Sequence, residues 1–233
     1  MSTYVDLMRL DFPDQEEERK KWLSAMKQRL SGERREKAEH FRRQEDQERS
    51  LGAGILLDYA LMRSGRREKT ETVRISEHGK PEFLSSPGLF FNLSHSGDYV
   101  LSVISDRTCG CDVETVRTAA AGVAKRFFCE RERREIFSCP EGKVRDKIFT
   151  RFWTMKESYV KMTGTGLTVP LDSFCILLPS EKENLPGRVI RDGRQENCAI
   201  YEFSGLTGAG VSVCLSSEDR DVFFSFQKLS DVI

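Results

Sequence analysis

Two long stretches, residues 44–64 and 143–163, repeat apolar side chains at helical spacing, and each is followed by short segments that alternate with a period of two. In the first, Leu51, Ile55, Tyr59 and Met62 recur at i, i+4, i+8 and i+11. In the second, Ile148, Phe152, Met155, Tyr159 and Met162 form one stripe. Such a stripe marks a helix that buries one face. The strand segments echo one another too: an aromatic-rich strand, a Gly/Ser turn and a Val-x-Val strand run from Phe91 to Val103 and again from Phe203 to Val213. The pattern predicts an α+β protein of two similar half-domains, residues 1–107 and 108–233, meeting near 106–112. Each would be a long helix packed on a small, mostly antiparallel sheet.

The remaining elements fit around this frame. Residues 3–10 read as a first strand, and 15–30 as a helix with Trp22, Leu23, Met26 and Leu30 at helical spacing. Ser31 caps a short basic helix over 33–41 without a full capping box. Strands are expected at 73–75, 90–94, 99–105 and 109–114, with turns at 78–81 and 96–98. Residues 117–139 read as helical, and Gly164 and Gly166 end the second long helix. Beyond Pro170 the chain is mostly strand.

Composition narrows the function. Lys+Arg and Asp+Glu are equal at 37 each in 233 residues, so a broad basic face for duplex nucleic acid is not expected. The seven cysteines match no Cys-x-x-Cys zinc spacing and are expected to be buried, reduced thiols. Asp6, Arg9, Asp11 and Asp14 interrupt any secretory signal, and no apolar run reaches the length of a membrane span. A cytoplasmic, monomeric protein is expected.

The chemistry concentrates in two places. On the strand ending at Glu114, Asp112 and Glu114 lie two apart and project to the same face. Two close carboxylates repel unless a cation sits between them, and Mg²⁺ takes oxygen ligands of this kind together with phosphates and water. Alone, the pair also reads as an ordinary solvated strand end. On the second long helix, Glu157 and Lys161 are i, i+4, off the apolar stripe, and could be a surface ion pair. Ser94-His95-Ser96-Gly97 sits at a strand end, where an imidazole and turn amides can meet a phosphate, although a lone histidine is more often structural. The basic run Arg34, Arg35, Lys37, Arg42, Arg43, Arg49 and the turn Gly79-Lys80-Pro81 are, taken alone, surface features. No Gly-x-Ser-x-Gly elbow is present, which argues against a serine hydrolase.

Taken in order, Gly79-Lys80-Pro81, Phe91-Asn92-Leu93-Ser94-His95-Ser96-Gly97, Gly110-Cys111-Asp112-Val113-Glu114 and Phe152-Trp153-Thr154-Met155-Lys156-Glu157-Ser158-Tyr159-Val160-Lys161 closely resemble the 4′-phosphopantetheinyl transferases of the Sfp type. The resemblance extends to the segment from Ser31 to Lys37 and to the segment from Gly164 to Ser173. It implies a pseudo-twofold fold with coenzyme A between the halves. It implies transfer of the phosphopantetheine arm to a serine of an apo acyl or peptidyl carrier protein, with release of 3′,5′-ADP. Carried over by motif, Asp112, Glu114 and Glu157 would hold Mg²⁺, and Lys161 with Lys156 would meet the pyrophosphate. His95, Arg34, Lys37 and Arg49 would hold the 3′-phosphate, with Ser94 nearby and Arg34 replacing a frequent lysine. Gly79, Lys80 and Pro81 would lie along the adenine. Glu132, in the matching segment that begins Phe127-Phe128, and Glu157 would take part in catalysis. Cys109 and Cys111 replace more usual aliphatics and should alter packing only. The basic residues Lys125, Arg126, Arg131, Arg133 and Arg134 are a plausible carrier contact. A catalytically silent binder of coenzyme A or carrier would be free to lose Asp112, Glu114, Glu157 and Lys161, all of which are present.

Overall fold

Val5 and Leu7 point to one face of the first strand, Asp6 and Met8 to the other, and all four are buried. A strand covered on both sides must lie in the interior, so this strand anchors the architecture. The computed structural model describes residues 2–180, 185–219 and 221–233. Strand β1 (Thr3–Arg9) is followed by helices α1 (Glu16–Arg29), α2 (Gly32–Glu39) and α3 (Gln44–Met62). Then come β2 (Val73–Ile75), β3 (Pro81–Phe83), β4 (Phe90–Ser96), β5 (Tyr99–Ser105) and β6 (Cys109–Thr115). Helices α4 (Ala121–Phe127), α5 (Glu130–Ser138) and α6 (Lys143–Thr163) precede β7 (Phe174–Leu177), β8 (Arg188–Arg191) and β9 (Arg194–Gln195). The chain closes with β10 (Ala199–Glu202), β11 (Ala209–Leu215) and β12 (Val222–Lys228).

The internal echo is a repeated topology. In the first half β1, α3, β4 and β5 give the antiparallel order β1-β5-β4; in the second, β6, α6, β10 and β11 give β6-β11-β10. The two sheets pack face to face through Val5, Leu7, Leu101 and Val103 on one side and Cys111, Val113, Val211 and Val213 on the other. Helices α1 and α3 cover the outer face of the first sheet around Met8 and Val100. Helix α6 covers the second around Ile200 and Cys214, flanked by α4, α5 and β7. The result is a four-layer helix–sheet–sheet–helix stack, each inner sheet buried on both faces.

The expected elements appear with local differences. Residues 117–139 form two helices, broken at Phe128 and Cys129, whose backbones are extended. Pro81, read as part of a turn, opens β3, a strand position that needs no amide donor. Met62 leaves the apolar stripe at the end of α3 and is 48% exposed. Strand β12 crosses back to the first sheet and pairs in parallel with β1, so the second half contributes a strand to the first. The cysteines depart from the expectation of seven thiols: Cys129 and Cys175 form a disulfide, and Cys109, Cys111, Cys139, Cys198 and Cys214 are free. The sequence gives no sign of this pair because the fold, not the spacing, brings the start of α5 to β7, with the two Cα atoms 5.7 Å apart.

Among the described residues, strand β6 has no backbone partner on the side away from β11. Side chains of β4 take that place. Asn92 Oδ1 accepts from the Cys111 amide at 3.0 Å, Ser94 Oγ from Val113 at 3.3 Å and Ser96 Oγ from Thr115 at 3.2 Å. Residues 92, 94 and 96 share one face of β4, so a polar alternation closes the sheet edge that would otherwise stay open. Across β6, helix α6 approaches until a Cβ at Gly110 would stand 2.2 Å from both Ser158 O and Met162 N. Only glycine permits that contact. Gly110→Ala is expected to push α6 off β6 and destabilise the protein by about 3 kcal/mol, the upper end of overpacking effects, read as a lowered urea midpoint.

Candidate active site

The close crossing at Gly110 lays the last turns of α6 over Asp112. Lys161 Nζ sits 2.7 Å from Asp112 Oδ1 and 3.1 Å from Ser94 Oγ, and Ser94 donates to the same Asp112 oxygen at 2.8 Å. Ser94 is thereby saturated: its hydroxyl donates to Asp112 and accepts from Val113 and Lys161. Glu114, on the same face of β6, accepts from Ser96 through one oxygen and pairs with Arg117 at 2.9 Å through the other. Glu157 stands one helical turn before Lys161, and its carboxylate makes no hydrogen bond or ion pair among the described residues.

The electrostatics are those of a carboxylate cluster short of positive charge. Burial raises the Asp112 pKa, with Lys161 the main opposing influence and Glu114 adding to the rise. Burial also raises Glu157, and the charge of Asp112 pushes the same way. Burial is the largest influence and would lower Lys161, but Asp112, Cys111 and Glu157 together outweigh it and the ammonium is held more firmly protonated. Asp112 Oδ2 is buried without a hydrogen-bond partner among the described residues, an arrangement that disfavours the free carboxylate unless a cation or proton donor meets it. Oxygen donors from Asp112, Glu114 and Glu157 fit a hard divalent ion. Among the described residues, however, no three acidic, histidine or cysteine side chains stand close enough to form a finished ligand cage.

From this cluster a trough runs toward the first half. A cavity of about 280 Å³ between the Gly79–Lys80 turn and α6 is lined by Pro81, Asn92, Leu93, Glu157 and Lys161. A second of about 280 Å³ shares Pro81, Asn92 and Leu93 and carries Arg34, Lys37 and His95. Alternation along β4 separates the roles: Ser94 turns to the acidic cluster and His95 to the basic wall. Ser31 caps α2 by accepting from the Arg34 amide at 3.3 Å, and Glu68 holds Ser31 and stands 3.5 Å from the Arg34 guanidinium. Lys37 is lowered by burial and then by Arg34. His95 is lowered by burial and by the charges of Arg49 and Lys161, although the residue as a whole is exposed. A larger cavity of about 660 Å³, lined by Pro186, Tyr201, Glu218 and Phe224, contains none of these residues.

Three of the sequence expectations are redrawn. Arg49 is near His95 but does not line its cavity; its guanidinium binds Asp46 at 2.7 Å and the Gly97 carbonyl at 3.3 Å. Lys156 and Glu132 do not reach the trough. Lys156 Nζ is 3.0 Å from Glu132 Oε2 and donates to the Leu171 and Phe174 carbonyls at 2.7 Å each, so all three of its donors are engaged and none is left for a pyrophosphate. Glu132 in turn accepts from the amides of Cys129 and Ile176. Adjacent residues on a helix point about 100° apart, which sends Lys156 into the core and Glu157 into the trough. Conversely, Asn92 and Ser96, which the sequence offered only as members of the Phe91–Gly97 motif, belong to the site's frame. With both partners wholly buried, Glu132→Gln leaves an uncompensated ammonium and should lower stability by about 3–5 kcal/mol, measurable by urea unfolding; replacing Lys156 with Met in the same chain should restore much of it.

Comparison with known proteins agrees with this geometry. A family profile described as the 4'-phosphopantetheinyl transferase superfamily matches residues 108–214, and one described as 4'-phosphopantetheinyl transferase, N-terminal, matches 16–106. The chain is 34% identical to "4'-phosphopantetheinyl transferase Sfp" of Bacillus subtilis (strain 168), over 90% of this chain and 91% of that one. It is 31% identical to "4'-phosphopantetheinyl transferase ffp" of Bacillus subtilis over 90% and 91% of the two chains. Identity is also 31% with "4'-phosphopantetheinyl transferase psf-1" of Bacillus pumilus, over 84% and 82%. Similarity sustained along both halves, on a fold that repeats β1-β5-β4 as β6-β11-β10, shows that the chain belongs to the Sfp-type 4′-phosphopantetheinyl transferases and is a transferase enzyme.

Proposed function

We propose that the protein transfers the phosphopantetheine arm of coenzyme A to a serine of an apo acyl or peptidyl carrier protein, in a Mg²⁺-dependent reaction that releases 3′,5′-ADP. The observation that carries this reading is the orphaned Asp112 Oδ2 beside Glu157 and Lys161, at one end of a trough whose other end is Arg34, Lys37 and His95. An acidic end with a lysine suits a pyrophosphate accompanied by a divalent cation; a basic end suits the 3′-phosphate.

The chain's own groups divide the work. Arg34, Lys37 and His95 receive the 3′-phosphate, and Pro81 and the turn before it border the base. Lys161 donates toward the pyrophosphate while staying paired with Asp112. Asp112, Glu114 and Glu157 would hold Mg²⁺, which would neutralise charge at the phosphoryl oxygens. The carrier serine's oxygen forms a bond to the β-phosphorus, the bridging P–O bond to 3′,5′-ADP breaks, and Glu157, directly or through water, accepts the serine proton. In the metal-free protein, burial and then the Asp112 charge raise its pKa. Lys125 and Arg126 on α4 and Arg131 on α5 are exposed and would face an acidic carrier; Arg133 and Arg134 bond the Phe128 carbonyl and Glu130. No helix among the described residues is long and apolar enough to cross a membrane, and a cytoplasmic monomer is part of the same proposal.

Intact-mass spectrometry of an apo carrier incubated with the protein, coenzyme A and Mg²⁺ should show the gain of one phosphopantetheine arm, lost on chelation. Transfer that survives chelation would refute the metal's role. Glu157→Gln should lower the rate by at least about 100-fold, within the range of general-base contributions. The pH dependence has two signs. Asp112 and Glu157 hold protons to a higher pH than free carboxyls, so Mg²⁺ must displace them. Metal affinity therefore falls as pH drops through those raised values, and metal binding releases protons. His95 is held neutral to a lower pH than free imidazole, and an incoming phosphate raises it again. Metal-free coenzyme A binding should therefore take up a proton. Calorimetry in buffers of different ionisation enthalpy separates the two.

A further inference from the structure

The hairpin of β2 and β3 belongs to neither main sheet. It packs on the first half through Phe83 against Phe91, with ring centroids 4.1 Å apart. Its turn nevertheless reaches the second half. Lys80 Nζ donates to Met162 O at 2.8 Å, in the last turn of α6, and to Cys109 O at 2.9 Å, at the start of β6. Two features prepare this contact. Gly164 ends α6 with φ of 70°, and a Cβ there would stand 3.3 Å from Lys80 Cδ, so the lysine stem passes where another residue would crowd it. The late carbonyls of α6 also carry the negative end of its dipole, which favours an ammonium. The turn itself is held by Ser76, which pairs with Lys80 and Gly79 through backbone bonds and accepts the Lys80 amide on its hydroxyl.

We infer that the Lys80 ammonium is a latch between the two halves, a positioning group that fixes the hairpin wall of the trough to the helix carrying Glu157 and Lys161. That wall supplies Ile75 and Pro81 to the basic cavity, and His78, Gly79 and Pro81 to the acidic one. Among the described residues the hairpin has no ladder to a main sheet, and its place is set by the packing of Phe83 and Val73 at its base and by the lysine at its tip. Releasing the tip lets the wall swing while the sheets stay intact. The link to substrate rests on the proposed coenzyme A reading: a loosened wall should weaken nucleotide binding without Lys80 touching it.

Hydrogen exchange of the ligand-free protein separates a latch from a nucleotide ligand. In Lys80→Met, the Ser76 and Gly79 amides are expected to exchange at least ten-fold faster, with the amides of β5 and β11 unchanged. Arg74→Ala, which removes an exposed pair with Glu82 on the same hairpin, should leave them as in the parent protein. Coenzyme A affinity of Lys80→Met should fall about ten-fold. Weakened binding with unchanged hairpin exchange would assign the ammonium to the nucleotide and overturn the latch. Should Lys80→Met fail to fold, amine labelling of the parent protein decides: Lys80 should react at least ten-fold more slowly than exposed Lys69, and equal labelling overturns the inference. A parent protein that binds no coenzyme A would defeat the proposed function, while exchange and labelling would still decide the latch.

Discussion

The structure hinges on three side chains that act as backbone. Asn92, Ser94 and Ser96 accept the amides that β6 turns toward the first half, so two separate sheets meet along a line of hydrogen bonds. A backbone strand in that place would close the edge equally well but would leave nothing over. Serine hydroxyls have a proton to donate, and here they donate it to Asp112 and Glu114. The joint and the acidic site are therefore one network: what binds the halves also orients the carboxylates. The cross-links are short-range and geometric, which ties the position of the site to the relative placement of the two halves.

Around this joint, charge is deliberately unbalanced. Lys161 satisfies one oxygen of Asp112 and leaves the other bare. The contrast with Glu132 and Lys156 is instructive. Both pairs lie on α6 or against it; Lys161 is partly exposed, whereas the Glu132 carboxylate and the Lys156 ammonium are fully buried and each find every partner they need. A fully satisfied pair fixes structure; an unsatisfied cluster awaits a ligand. One residue's rotation along the helix separates the two functions.

Periodicity made most of the architecture legible. Helix α6 spans the predicted residues, and the Phe91–Val103 and Phe203–Val213 echo turned out to be equivalent hairpin pairs of a repeated sheet. What the sequence hid were facts that depend on long-range closure: the disulfide between Cys129 and Cys175, the return of β12 to the first sheet, and the saturation of Lys156. Motif resemblance placed Lys156 beside Glu157 in chemistry because they are neighbours in sequence. Helical geometry sends them apart. Asp112, Glu114, Glu157 and Lys161 were legible as types at the right spacing, but only the Gly110 crossing explains how a strand and a helix bring them together.

The parallel pairing of β12 with β1 has a consequence for how the chain reaches this state. Partners such as Ser225 and Asp6, joined across that edge, are 219 positions apart. On a ribosome the first half therefore emerges with one flank of its central strand uncovered, and waits through synthesis of the entire second half for the strand that seals it. Contacts so remote in sequence close slowly, and an exposed strand edge is adhesive in the interval. The catalytic halves are thus bound at birth as well as in function: the amino-terminal half completes its sheet only when the carboxy-terminal half has been made.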